Sequence, residues 1–138
     1  MTERTKIVYI EDDQDMIDLV GVILSRDNLE IVGVREGQRA LETIRQVEPA
    51  LVLLDLMLPD MGGWEIYQAM KQEPDMRDIP VIVITARGAP IDKVLGEHVA
   101  KVQVYIVKPF GTHELRDSVK RVLGMESGEL GAAPRRRP

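Results

Sequence analysis

The apolar residues of this chain change their spacing several times, and each change marks an element. "KIVYI" (6 to 10) is an unbroken β-branched run, after which Met16, Leu19, Val20, Ile23 and Leu24 recur at the three-and-four spacing of one helix face. "EIVGV" (30 to 34) returns to strand character, and Leu41, Ile44 and Val47 resume the helical spacing up to Pro49, which cannot continue a helix. "ALVLLD" (50 to 55) is apolar everywhere but at its last position, the pattern of a strand covered on both faces. A loop with a proline and a glycine pair, "LMLPDMGG" (56 to 63), then leads into a helix from Trp64 to Gln72. "PVIVIT" (80 to 85), a short helix around Ile91 to Val99, "VQVYIV" (102 to 107) and a helix from Thr112 to Leu123 complete the series. Thr112 is the expected N-cap of that last helix and Gly124 its stop.

Five strands, each followed by a helix, predict an α/β fold: a doubly wound parallel sheet with helices on both faces, because right-handed crossovers place them there. Ligands of such sheets bind beyond the carboxyl ends of the strands. The polar residues that interrupt the apolar pattern stand at those ends. Glu11, Asp12 and Asp13 follow the first strand, Asp55 ends the third, Thr85 the fourth, and Lys108 the fifth, directly before Pro109.

Three adjacent acids repel one another, so either they are solvated or a cation binds among them. A few hard oxygen ligands suit Mg²⁺, which retains several waters and takes one or two carboxylates together with a phosphate. Asp12 and Asp55 are the candidate direct ligands, Glu11 a ligand directly or through water, and Asp13 the N-cap of the first helix. A lysine and a hydroxyl opposite the metal would cradle a phosphoryl group, with Asp55 as nucleophile. Taken singly, each residue has a plainer reading as a turn residue, a strand threonine or a solvated lysine. Their joint placement at four strand ends favours the site, and Asp55 most of all, since a charge closing the run "LVLL" is costly without a partner.

Composition narrows the class. With 138 residues, 44% hydrophobic and 30% charged, the chain is expected to form one globular domain and a tail. The net charge is -5, and without Arg135, Arg136 and Arg137 it becomes -8 for residues 1 to 134, which argues against a nucleic-acid-binding surface. No cysteine is present, excluding disulfides and thiol chemistry, and "MTERTK" has no apolar stretch of a signal peptide. "ALVLLDLMLP" is too short for a membrane span and contains Asp55, so a cytoplasmic protein is expected. His98 and His113 have no metal-like spacing, and Trp64, Tyr67 and Met70 form a stripe suited to packing on the sheet.

The pieces "IVYIEDD", "LVLLDLMLPDMGGWE", "IPVIVITAR" and "VYIVKPF" resemble, in order and spacing, a response-regulator receiver domain of two-component signalling, from about Lys6 to Leu123. The resemblance implies the flavodoxin-like strand order 2-1-3-4-5. It further implies that Asp55 is the phosphoacceptor, Glu11 and Asp12 the acidic pair, and the backbone carbonyl of Met57 a further metal ligand. Thr85 would be the switch hydroxyl, Lys108 the phosphate-contacting lysine, and Tyr105 the aromatic that turns inward with the hydroxyl; the Lys108–Pro109 bond is expected to be cis. The implied cycle takes a phosphoryl group from a histidine kinase or histidine phosphotransfer protein in the presence of Mg²⁺, loses it by slow self-catalysed hydrolysis, and passes the signal to a downstream protein. No other enzymatic activity is implied.

Residues 1 to 124 are therefore expected to be the receiver domain, and 125 to 138 a disordered tail. The stretch "GEHVAKVQVY" (96 to 105) departs from the small and acidic pattern of many receivers at Lys101 and Gln103, which puts dimer contacts through that face in doubt. No output domain is expected after the tail, and a stand-alone receiver is therefore expected. The alternatives are a receiver fold that acts as an interaction module without phosphorylation, and a phosphohydrolase. The latter is disfavoured because Leu56 and Met57 follow Asp55 where a second acid would work on a leaving group.

Overall fold

Side chains alternate between the two faces of a strand, and here both faces are buried. Val8, Ile10, Val52, Leu54, Val81 and Val83 belong to one core, and Ile7, Tyr9, Leu51, Leu53, Ile82 and Ile84 to another on the opposite side of the same sheet. In this computed structural model, which describes residues 4–60, 62–86 and 104–125, the strands are β1 (Thr5–Ile10), β2 (Leu29–Val34), β3 (Leu51–Leu54), β4 (Val81–Ala86) and β5 (Val104–Lys108). They pair in parallel in the order β2-β1-β3-β4-β5, as expected. The helices are α1 (Gln14–Ser25), α2 (Ala40–Val47), α3 (Gly63–Gln72) and α4 (Thr112–Leu123), with a 3-10 turn, Gly37–Arg39, leading into α2. The helix expected around Ile91 to Val99, residues 102 and 103 of the expected fifth strand, His98, Lys101, Gln103 and the tail from 126 onward lie outside the described residues. Among the described residues, no helix is long and apolar enough to cross a membrane.

Helices α2 and α3 cover the first face through Ala40, Ile44, Ile66, Tyr67 and Met70, and α1 and α4 cover the second through Ile17, Val20, Ile23, Leu24, Leu115 and Val119. Each aliphatic side chain so buried contributes about 1.5–3 kcal/mol, which is why the strands read as continuous apolar runs. The stripe expected on α3 is there: Tyr67 and Met70 are buried, and Trp64 meets Tyr67 edge to face with ring centroids 5.4 Å apart.

The inward face of α1 differs from the expected one. Leu19 is 49% exposed and Ile17 takes its place in the core. The stripe centres on Val20 and Leu24, and Leu19 lies about 100° around the helix from Val20, beyond the edge of the buried arc. At α4, Thr112 is the first helical residue and not the cap. Gly111 holds the cap position, with extended backbone and its carbonyl accepting the Leu115 N–H at 3.1 Å. The other end agrees with expectation, since Gly124 adopts the left-handed φ of 73° that closes the helix. Helix α2 ends at Val47, and Glu48 turns left-handed before Pro49.

An ion cluster ties α4 to the turn after α1. Arg116 donates Nε and Nη2 to the two oxygens of Asp27, each at 3.0 Å, and Lys120 Nζ lies 3.4 Å from Asp27 Oδ1. The Arg116 hydrogen bonds hold the Asp27 carboxyl below its ordinary value against the opposing effect of burial, and the charges of Lys120 and Arg116 add to them. Because the folded value is depressed, this stabilisation is complete above the unfolded value of about 3.9 and fades as pH falls through the folded one. Asp27→Asn should therefore cost about 1.5–3 kcal/mol at pH 7. In urea titrations the gap from wild type should close as pH falls below that of an ordinary carboxylate; a gap independent of pH would contradict the pairing.

Candidate functional site

The parallel register decides which residues meet. Ile10 stands level with Val34 of β2 and Leu54 of β3, so Glu11 and Asp55 emerge side by side from adjacent strands. Backbone bonds continue one residue past the ladder, from Glu11 N–H to Val34 O at 2.9 Å and from Asp55 N–H to Ile10 O at 3.0 Å. Both carboxylates are buried, at 1% and 4% exposure. A carboxylate so placed needs partners, and the structure supplies them.

Lys108, the last residue of β5, reaches across from the far side of β4. Its Nζ lies 2.7 Å from Glu11 Oε1 and 3.2 Å from Asp55 Oδ2. Glu11 Oε1 also accepts the Tyr9 hydroxyl at 3.0 Å, and Oε2 the Asp13 N–H at 3.2 Å. Asp55 Oδ1 accepts the Met57 N–H at 2.9 Å. Burial acts on Lys108 to push its pKa down, but the hydrogen bond to Glu11 and the charges of Asp55 and Glu11 outweigh it, and the ammonium is held above the usual lysine value. Burial, with the neighbouring Glu11 charge, drives the Tyr9 hydroxyl upward, so it stays a proton donor.

Asp12, partly exposed, completes an acidic triad: Glu11, Asp12 and Asp55 each offer an oxygen within 4.8 Å of the others. Three carboxylates against one ammonium leave a formal charge of -2. Oxygen ligands alone, few in number and negative in sum, fit a divalent ion of the Mg²⁺ type.

Asp13 is the N-cap of α1, as expected, accepting from the N–H of Asp15 at 3.0 Å and of Met16 at 3.4 Å. The Lys108–Pro109 bond is cis, also as expected. Met57 follows Asp55 by two residues, and its side chain is half exposed. Tyr105 is half buried against the α2–α3 side of the sheet, level with Val83. Thr85 is the penultimate residue of β4, level with Val107; the placement of its side chain lies outside the described residues. His113 is exposed.

Tyr9 escaped the sequence reading, although its position two residues before Glu11 on one strand was a usable signal, since such residues share a face. Two ties between loops had no such signal. Arg35 Nε donates to the Asp12 carbonyl at 3.0 Å, and Asp60 accepts from the N–H groups of Gly37 at 3.0 Å and Gln38 at 3.2 Å. The loops after β1, β2 and β3 are thereby joined around the acids.

The family model of the response regulator receiver domain matches residues 7–120. Solved structures agree. The N-terminal domain of a response regulator receiver protein from Methanoculleus marisnigri JR1 is 30% identical with a TM-score of 0.69, over 88% of this chain and 98% of that one. The signal receiver domain of a signal transduction histidine kinase from Syntrophus aciditrophicus is 28% identical with a TM-score of 0.77, over 94% and 98%. The BeF3-activated N-terminal receiver domain of Klebsiella pneumoniae RstA is 26% identical with a TM-score of 0.73, over 86% and 98%.

The uncompensated acids carry a prediction for stability. Asp12→Asn removes one of three clustered charges and should raise unfolding stability in chelator by about 0.5–2 kcal/mol, within the range of relieved functional strain. The same change should abolish most of the further stabilisation that Mg²⁺ gives the wild type, since a ligand is lost. Denaturant titrations with and without Mg²⁺ measure both effects, and a variant less stable than wild type in chelator would contradict the charge balance.

Proposed function

The chain belongs to the response regulator receiver family, and on that footing we propose that it accepts a phosphoryl group on Asp55 and signals through the surface change that follows. The donor is a phosphohistidine on a histidine kinase or a histidine phosphotransfer protein. The observation that carries this reading is the Lys108 ammonium held between two buried carboxylates, one of which, Asp55, also lies within reach of a third acid.

In the proposed transfer, an Asp55 carboxylate oxygen forms a bond to phosphorus while the bond from phosphorus to the donor nitrogen breaks, its electron pair leaving with the imidazole. Asp55 is held for this by the Met57 N–H on Oδ1. Lys108 would donate a hydrogen bond from its ammonium to a phosphoryl oxygen, compensating charge on the group. Glu11, Asp12, Asp55 and the Met57 carbonyl would hold Mg²⁺, which supplies Lewis-acid neutralisation of the phosphoryl oxygens. Thr85 would donate its hydroxyl to the phosphoryl group, and Tyr105 would follow it inward. The new group adds about -1.5 to -2 charge, enough to redraw the hydrogen bonds of Lys108. Such a charge-driven rearrangement biases the β4–β5 surface toward the form a downstream protein recognises.

Intact-protein mass after incubation with Mg²⁺ and acetyl phosphate tests the reading. One added phosphoryl group is expected, absent in Asp55→Asn and in chelator. No adduct, together with no binding of the phosphoryl mimic beryllofluoride, would overturn it in favour of a receiver fold that works unphosphorylated.

A further inference from the structure

The glycine pair at the start of α3, Gly62 as its cap and Gly63 as its first residue, has two members in very different surroundings. A Cβ on Gly62 would have as its nearest neighbour Glu65 Cγ at 4.0 Å, an ordinary contact. A Cβ on Gly63 would lie 2.5 Å from the carbonyl oxygen of Asp55 and 2.6 Å from Leu56 Cα. We propose that Gly63 is a positioning residue for phosphoryl acceptance: its missing side chain lets the first turn of α3 rest directly on the backbone of Asp55. The proposal rests on the reading of Asp55 as phosphoacceptor.

The obstruction cannot be relieved by rotating a side chain, because both opposing atoms are backbone. Nor is the conformation of Gly63 itself the reason for glycine, since it lies inside α3 and only Gly124 among the described glycines has positive φ. The contact is held from both sides. Gly63 N–H donates to Leu56 O at 3.1 Å, and Asp55 N–H is fixed to Ile10 O at 3.0 Å. A methyl group at position 63 must therefore either lift α3 or tilt the Asp55–Leu56 peptide. The second movement carries the acceptor carboxylate away from the Met57 N–H and from Lys108, its partners at 2.9 and 3.2 Å. A displacement near 1 Å in a reacting group is able to slow a reaction by about 100-fold.

Gly33 supplies the control for mere destabilisation. A Cβ there would lie 2.6 Å from Ile17 Cγ2, a core side chain of α1 and not the backbone of Asp55 or Leu56, so Gly33→Ala should loosen the core and leave the Asp55–Leu56 peptide in place. The experiment compares wild type, Gly62→Ala, Gly33→Ala and Gly63→Ala as full chains. Three readouts are taken: the initial rate of phosphoryl uptake from acetyl phosphate with saturating Mg²⁺, the unfolding midpoint, and the Met57 amide resonance.

Gly62→Ala should match wild type, and Gly33→Ala should lose stability but keep both the rate and the resonance. Gly63→Ala should fold, shift the Met57 resonance and take up phosphoryl at a rate lower by at least about tenfold. A Gly63→Ala rate within about twofold of wild type, or an equal slowing in Gly33→Ala, would overturn the proposal. If Gly63→Ala does not fold in buffer, the comparison is made in trimethylamine N-oxide, which strengthens burial. Failure to fold there too would make the glycine a structural requirement and overturn the positioning role. A wild type that takes up no phosphoryl group would instead refute the reading of Asp55 itself, and this proposal with it.

Discussion

One ammonium group, that of Lys108, makes the carboxyl edge of the sheet possible. Glu11 and Asp55 leave adjacent strands together and are buried together, and without a cation between them each would destabilise the other. Lys108 arrives from β5, with β4 standing between it and the acids in strand order. The register that brings its Nζ to both carboxylates is thus a property of the whole sheet. Truncating one partner of so buried a pair typically costs about 3–5 kcal/mol, which measures how strongly the three strand ends depend on one another. The compensation is incomplete by design of the residues present, since Asp12 adds a charge that Lys108 does not balance, and the surplus is what a divalent cation and a phosphoryl group would redistribute.

Most of the fold was legible because burial on both faces leaves an unambiguous trace. "LVLL" and "VIVI" could be little else than inner strands, and the alternation with helices dictated a parallel sheet. The candidate site was legible for the converse reason: Glu11, Asp12, Asp55 and Lys108 interrupt apolar runs at the ends where such sheets bind ligands. What remained hidden depends on contacts between residues distant in sequence. Asp27 with Arg116 spans 89 positions, and Asp60 with Gly37 spans 23, and no local pattern announces either. Leu19 was misplaced because apolar spacing alone does not say where the buried arc of α1 ends; packing against β2 and β1 decides it. Gly63 looked like any loop glycine until the Asp55 peptide was found lying against it.

Hydrogen bonds tie the loops around the acids to one another. Asp60 gathers the 3-10 turn, Arg35 holds the Asp12 carbonyl, and Asp13 closes the start of α1. Side chains of the acidic site therefore sit on a frame whose parts brace one another, while Lys108 meets the acids through its ammonium alone, its strand being joined to theirs through β4. A new charge on Asp55 would accordingly be felt first by Lys108 and β5, and only secondarily by the braced loops. Under the proposed function this asymmetry would suit a switch: the input would change one electrostatic contact, and the output would pass to the strand that carries Lys108.

The most direct test of this account is an amide NMR comparison of the protein with and without beryllofluoride and Mg²⁺, repeated in Lys108→Ala. The account predicts shifts in wild type that extend from residues 55–57 to β5, Tyr105 included, with the β5 shifts lost in Lys108→Ala while those at 55–57 persist. Shifts confined to the acceptor loop in wild type, or a β5 response unchanged without the lysine, would contradict it.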